Sequence, residues 1–587
     1  MSSLRVPSLD TEGGLSKASH ARSSPQPSLA ENSANVETLS GNPPPTQGVF
    51  MTPENDSFYK SYSYSDLNST AQDIRLIHVF KNEQCDLIQC EFLPQSSLRQ
   101  VSGSYHALSY CAGDPSNAES VLLQGIKFNV FANLNHALEK TLAVWESKYP
   151  EEKCILWVDQ ICINQRSNAE RSHQVGLMRD IYTNSRETFI CLSTADQSDT
   201  SSNGLDWFKE FGKAYQPSHR SSPRYELQDF LWKSASNSNF LKGWASFYEL
   251  VQCPWWRRAW VHQEFICSPS AIFMYRDSTI SSTHTLFLMF LCQMLHMHQI
   301  TKRLVRLEMS WLEKTGMTNG DANPLREMHQ RNMRASSSLE AVKLLLNAKE
   351  SWRGDEDIKK VLARSRHCRS SDPRDRIFAF LGLTYPGYGI EADYSKSNTL
   401  DATNLHTAKK ILEFDRHLEI LIFAVRATRR SVSTLPSWVP DWASAESLED
   451  GLFPPFGGGD MQFQKDAIGS SVIHTSTGDN SAVLRVQGLQ IDTLEKVLPK
   501  RAQHLPGWDF ETARGYTVKC RHLARHGDEL WMLMGSRWPF ILRPWDGEYK
   551  VVSDVGNRVY QKKIIGFEEI LGRMRDGRET LSIIDLC

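Results

Sequence analysis

A chain of 587 residues is too long for one ordinary core, so two or three domains are expected. Its composition, 40% hydrophobic and 23% charged, is that of a soluble globular protein. Sixty-six basic residues against 68 acidic ones leave a net charge of −2, which excludes any global electrostatic pull toward nucleic acid or an anionic membrane.

Residues 1–56 are rich in Ser, Pro, Asn and Gly and cannot bury enough apolar surface to order, so they read as a tail. Three short strands follow in "IRLIHVF", "DLIQCEFL" and "YHALSY". Leu134, Leu138, Leu142 and Trp145 then recur at helical spacing. "CILWV" is a continuous apolar run that ends in Asp159, the form of a buried parallel strand. Ser167 and Glu170 spell a capping box that opens a helix carrying Val175, Met178 and Tyr182 on one face. "ETFICLS" is the next buried strand. This alternation predicts an open parallel α/β sheet with crossover helices, and ligands bind such sheets outside the carboxyl ends of the strands. The insert from Thr194 to about Leu241 reads as loop-rich, and "GWASFYELVQ" and the stretch from Cys253 read as helix.

From 284 to about 430 the pattern is mostly helical. One helix is announced by Asp372 as its N-cap, Pro373 and Asp375 in its first turn, and Gly382 at its end. Residues 446–587 change to short strands with Gly, Asp and Pro turns, which predicts a small barrel or sandwich.

No apolar segment opens the chain, residue 2 is Ser, and Cys587 ends it without a prenylation box. "LFLMFLCQML", Leu286 to Leu295, is about half of a spanning helix and reads as buried. Twelve cysteines without a CxxC pair read as free thiols in a reducing compartment, so the expected location is cytoplasmic. His296 and His298 have no companion ligands, and no metal or resident cofactor is expected.

Four blocks carry a resemblance. "YHALSYCAGDP" (105–115), "LWVDQICINQRSNAERSHQVGLMRDIY" (156–182) and "PWWRRAWVHQE" (254–264) resemble the successive motifs of the heterokaryon incompatibility (HET) domain family of filamentous fungi. "DPRDRIFAFLGL" and "LPSWVPDW" resemble segments that commonly follow that domain. Ala112 stands where the family usually has Trp. The resemblance implies a HET domain over 57–270, a helical extension over 271–445 and a β-rich region over 446–587. It also implies a TIR-like, flavodoxin-like fold and a role in non-self recognition and regulated cell death. Some TIR domains cleave NAD between nicotinamide and ribose with a glutamate on a helix. By chain order and the neighbouring tryptophans the corresponding residue here is Glu264, with NAD as substrate. The alternative is a non-catalytic assembly module. Partners implied are other incompatibility proteins or a second copy of the domain, with no nucleic acid and no membrane span.

The residues around Glu264 bear on that choice. On a continuous helix from Trp256, Glu264 falls inside the apolar arc, where a carboxylate must be paired, shifted in pKa or facing a cavity. Arg257 is the expected partner, in which case Glu264 is structural. Trp260 shares its face and can stack on a ligand ring. Ser109, Tyr110 and Gly113, at a strand end, are candidates for the ribose or phosphate side, with core and turn roles as their alternatives. Asp159 either binds ligand or caps its own loop. Arg171 either meets a phosphate near its helix N-terminus or makes a surface ion pair. Glu170 is explained by the capping box alone.

Overall fold

The computed structural model describes residues 48–82, 85–197, 203–214, 230, 233–234, 237–282, 338–339, 341–426, 433–444, 474–475, 482–498, 508–521, 523–536, 539–555, 576 and 580–587. The tail up to residue 47, the apolar run Leu286–Leu295, His296 and His298 lie outside them.

Ordered structure begins before residue 57. Helix α1 (Pro53–Ser61) is capped by Thr52, whose hydroxyl accepts from Asn55 N, and it starts on Pro53 at the position where a missing N–H costs nothing. Val49 is fully buried, and Asn55 bonds the backbone of Asn129, so 48–56 belong to the folded unit and not to the tail.

The strands of the first region are β1 (Asp73–Ile74), β2 (Ile77–Asn82), β3 (Cys85–Phe92), β4 (Ser96–Ser97), β5 (His106–Ser109), β6 (Ala118–Leu123), β7 (Ile126–Phe131), β8 (Ile155–Trp157), β9 (Thr188–Cys191), β10 (Ala271–Tyr275) and β11 (Ser278–Ser281). Nine of them form one sheet in the order β11-β10-β9-β5-β8-β2-β3-β6-β7, while β1 and β4 pair with each other. The contiguous run β10-β9-β5-β8 is parallel. The joins β8–β2, β2–β3, β6–β7 and β10–β11 are antiparallel.

The sheet is therefore mixed, not the open parallel sheet expected, and connection length is the reason. β6 and β7 are joined by Gln124 and Gly125 at φ 54° and 74°, a two-residue turn that permits only an antiparallel partner. The parallel neighbours are separated by helices: α2 (Ala132–Lys148) before β8; α3 (Asp159–Cys162), α4 (Asn168–Gly176) and α5 (Met178–Asn184) before β9; α6 (Gly204–Ala214), α7 (Ser238–Val251) and α8 (Val261–Ile266) before β10. The sheet also runs past residue 270, because β10 and β11 complete it. Within the expected loop, α6 instead packs Trp207 and Phe208 against Trp244 and Phe247 of α7, and Phe211 against Phe240.

Beyond the sheet come α9 (Ile358–Ser365), α10 (Asp375–Leu381), α11 (Leu400–Asp415) and α12 (Ile420–Arg426). The C-terminal strands are β12 (His474–Thr475), β13 (Leu484–Val497), β14 (Trp508–Thr512), β15 (Thr517–Cys520), β16 (Glu529–Leu533), β17 (Pro539–Trp545), β18 (Glu548–Asp554) and β19 (Ser582–Leu586). β13, β16, β17, β18 and β19 pair in a ring that closes on β13. Register shifts between Gln490 and Asp492 and between Leu494 and Lys496 bend β13 enough to serve both this ring and the β14–β15 hairpin.

Candidate functional site

The stretch Cys253–Phe265 is not one helix. Pro254–Arg257 is a 3-10 turn, Arg258 is extended at φ −70° and ψ 142°, and α8 begins only at Val261. The break has a cause: Arg369 N donates to Arg257 O at 2.5 Å and Ala259 N donates to Arg369 O at 3.1 Å, which pulls Arg258 into a strand-like bridge. The helical angle counted from Trp256 therefore does not apply. Glu264 is buried all the same, 3% exposed, because α8 packs between α5 and α10.

The tryptophans divide. Trp255 and Trp256 are core residues, with ring centroids 5.0 Å apart, and both pack on Phe273 of β10. Burial of this kind is worth about 3–5 kcal/mol per aromatic lost to alanine. Trp260 alone is half-buried and lines a cavity of about 210 Å³.

Asp159, Arg171, Trp260 and Glu264 share that cavity with Ser371, Asp372, Asp375 and Tyr394 from the helical region. Ser109 ends β5 and Asp159 follows β8, the adjacent parallel strand, so both sit at the carboxyl edge of the sheet. Trp255 Nε1 donates to Ser109 Oγ at 2.7 Å, and Ser109 Oγ in turn donates to Glu264 Oε2. Arg258, not Arg257, is the ion-pair partner, with Nη1 3.7 Å from Oε2. Its Nη1 also donates to Tyr110 O. Among the described residues nothing donates to Glu264 Oε1. Burial pushes the Glu264 pKa up, against the pull of Arg258 and Ser109, and the Asp159 charge adds to the rise.

Asp159 is raised in the same way, first by burial, while Arg258, the Gln160 N–H and the Tyr110 hydroxyl oppose it. Its Oδ1 accepts from Gln160 N at 2.7 Å and Tyr110 Oη at 3.2 Å, and Oδ2 has no donor among the described residues. Arg171 lies 4.3 Å from the Tyr394 ring centroid. It makes no ion pair or hydrogen bond among the described residues, and its buried Nε is unbonded. Glu170 is more than a cap: it forks onto buried Arg75 at 2.5 and 3.1 Å and accepts from Asn164 N.

Ser109 and Tyr110 stand behind the cavity wall and orient Glu264 and Asp159. Gly113 stands apart. At φ 83° it occupies a turn where a Cβ would meet Asn133 Nδ2 at 2.6 Å, and it does not line the cavity. Ala112 is half-buried beside it and is likewise not among the lining residues.

Sequence reasoning missed Arg258, because the 3-10 turn shifts the facing of the two arginines. It also missed the wall formed by Asp372, Asp375 and Tyr394. The signal available for that wall was the "DPRDR" segment, read only as a helix start. Arg374, not Asp372, directly precedes α10. Asp372 accepts from Arg374 N at 3.0 Å and is forked by its guanidinium, with Nη2 to Oδ2 at 2.8 Å.

The family model described as Heterokaryon incompatibility protein (HET) matches residues 105–264. The chain carries a HET domain. Over 378 residues it is 26% identical to heterokaryon incompatibility protein 6, OR allele, of Neurospora crassa, a match spanning 58% of this chain and 53% of that relative. The chain thus spans about half the length of the curated relative it matches. No solved structure gives a significant match. The HET match ends on Glu264 itself, so Asp372, Asp375 and Tyr394 reach the cavity from outside it. Among the described residues, no helix is long and apolar enough to cross a membrane.

Proposed function

We propose that this protein acts in fungal non-self recognition, and that its HET domain cleaves NAD at the bond between nicotinamide and ribose, leading to cell death. The observation that carries the reading is Glu264: a buried carboxylate with one oxygen fixed by Ser109 and Arg258 and the other open to a cavity. Breaking the glycosidic bond leaves an oxocarbenium-like ribose, and a preoriented carboxylate stabilises that charge. Nicotinamide departs neutral, so no general acid is required.

The strand order supports a TIR-like fold. Numbered along the chain, the four strands of the run β8-β5-β9-β10 stand 2-1-3-4, the order of flavodoxin-like sheets. Trp260 offers a ring to stack on, and the uncommitted Arg171 guanidinium suits a phosphate. The cavity is smaller than the roughly 300–1,000 Å³ of sites that enclose a whole ligand. It therefore takes the reacting end of the dinucleotide and leaves the rest outside its mouth.

A second reading rests on the Arg258–Glu264 pair, which in an assembly module would simply fix α8 to the sheet. Nicotinamide release by the full chain at high concentration, wild type beside Glu264→Gln, separates the two. Release lost in the folded variant supports the enzyme. A silent wild type supports the module.

A further inference from the structure

The helical region supplies a carboxyl group that the proposed reaction has not used. Asp375 opens α10, beyond the matched HET segment, yet it lines the same cavity as Glu264. A carboxylate in the first turn of a helix usually faces water. This one is almost wholly buried. Tyr394 Oη donates to its Oδ1 at 2.6 Å, and Trp260 lines the cavity beside it, where its indole favours the ionised carboxyl. Its other neighbours are Asp372, itself forked by Arg374, and Arg171 of α4.

The wall that carries it is stitched to the catalytic helix. Gln263 Nε2 donates to Ala379 O of α10 at 3.0 Å. Arg369 bridges Arg258 from the segment leading into α10. α8 and α10 thus hold their two carboxyl groups on one cavity as a unit.

We infer that Asp375 is the general base for the attacking water, so that the site of this HET domain is completed by the region that follows it. The inference rests on the NAD-cleaving reading. In the step, the C1′–N bond breaks and its electron pair leaves on the nicotinamide nitrogen, which becomes neutral. The water oxygen bonds to C1′, and the water proton passes to the Asp375 carboxylate, from which it goes to solvent. Glu264 stabilises the cationic sugar and takes no proton. Burial raises the Asp375 pKa to about 6, close enough to neutrality for a base that is ionised yet able to accept a proton.

The two carboxylates therefore have separable signatures. A pyridine base such as 3-acetylpyridine attacks C1′ through a nitrogen lone pair and has no proton to lose. Base exchange needs Glu264 but not Asp375, whereas hydrolysis needs both. In the full chain, Asp375→Asn is expected to lower hydrolysis of NAD about a hundredfold or more. Exchange with 3-acetylpyridine should stay within about threefold of wild type by the same reasoning. Wild-type hydrolysis should fall as pH drops through about 6, with no matching fall in exchange.

If Asp375→Asn does not fold, Tyr394→Phe serves instead. It removes a hydrogen bond that favours the ionised carboxyl, so the acid limb of hydrolysis should move to higher pH. Hydrolysis and exchange falling together, neither changing, or a limb that stays in place would each overturn the assignment of Asp375. A wild type that releases no nicotinamide would overturn the NAD reading, and this inference with it.

Discussion

Two regions of this molecule bury charges of the same kind and treat them oppositely. In the C-terminal barrel, Asp528 is held by a fork from Arg543 at 2.7 and 2.9 Å and by Arg525 N at 2.9 Å. Asp554 takes Arg521 Nε at 2.7 Å, with Arg426 3.6 Å away. At the sheet edge, Glu264 and Asp159 each keep one oxygen without a protein donor, and Arg171 stands over a tyrosine with no carboxylate bonded to it, among the described residues. A buried charge left partly unsatisfied costs stability, and one that also faces a cavity is a candidate for binding or chemistry. What sets Glu264 and Asp159 apart is a carboxylate oxygen without a donor, among the described residues, on a side chain that lines a cavity.

The comparison breaks most visibly in the barrel. Arg543→Ala strands Asp528, 1% exposed, without its fork, and is expected to cost about 3–5 kcal/mol in urea unfolding. Nicotinamide release, measured under folded conditions, should be unchanged. Loss of release would mean that the barrel and the cavity are not energetically separate.

Asp375 gives the opposite sign. Its folded pKa of about 6 lies above the unfolded value near 3.8, so between these pH values the folded chain binds a proton that the unfolded chain has released. Stability contributed by this group is full below about 3.8 and is lost as pH rises toward 6. Asp375→Asn should flatten that slope, relative to wild type, by at most about 3 kcal/mol. Urea midpoints at pH 4 and 7 measure it, and an unchanged slope contradicts the burial argument.

The smallest expected effect is on binding. Arg171→Ala removes an uncommitted guanidinium, which should weaken NAD binding by roughly tenfold or more, the value of one charge-assisted hydrogen bond. Calorimetric titration checks this.

How much of this was legible in the sequence varies with the range of the interaction. The strands, α2, and the Ser167 cap on α4 follow from patterns a few residues long, and Ser167 Oγ does accept from Glu170 N. The hairpin β6–β7 carries no reading in the sequence pattern, and β10 with β11 falls within the expected helical extension, because short apolar runs do not reveal their sheet partners. The helical angle that puts Glu264 in the apolar arc is undone by the 3-10 turn, and its burial comes instead from the packing of α8 between α5 and α10. Arg258 displaced Arg257 because Arg369, more than a hundred residues on, reshapes that turn. Asp375 was read as a helix-start residue because its local pattern has that form. Only the tertiary contact with Trp260 and Tyr394 makes it part of the cavity.

The central claim is that Glu264 is held for chemistry and not for the fold, and the urea midpoint of Glu264→Gln at pH 7 tests it most directly. The account predicts a midpoint equal to or above wild type, since the amide keeps the shape and removes a carboxylate whose ionisation burial disfavours. A drop comparable to that of Arg543→Ala would contradict it, making Arg258–Glu264 a structural pair like those of the barrel.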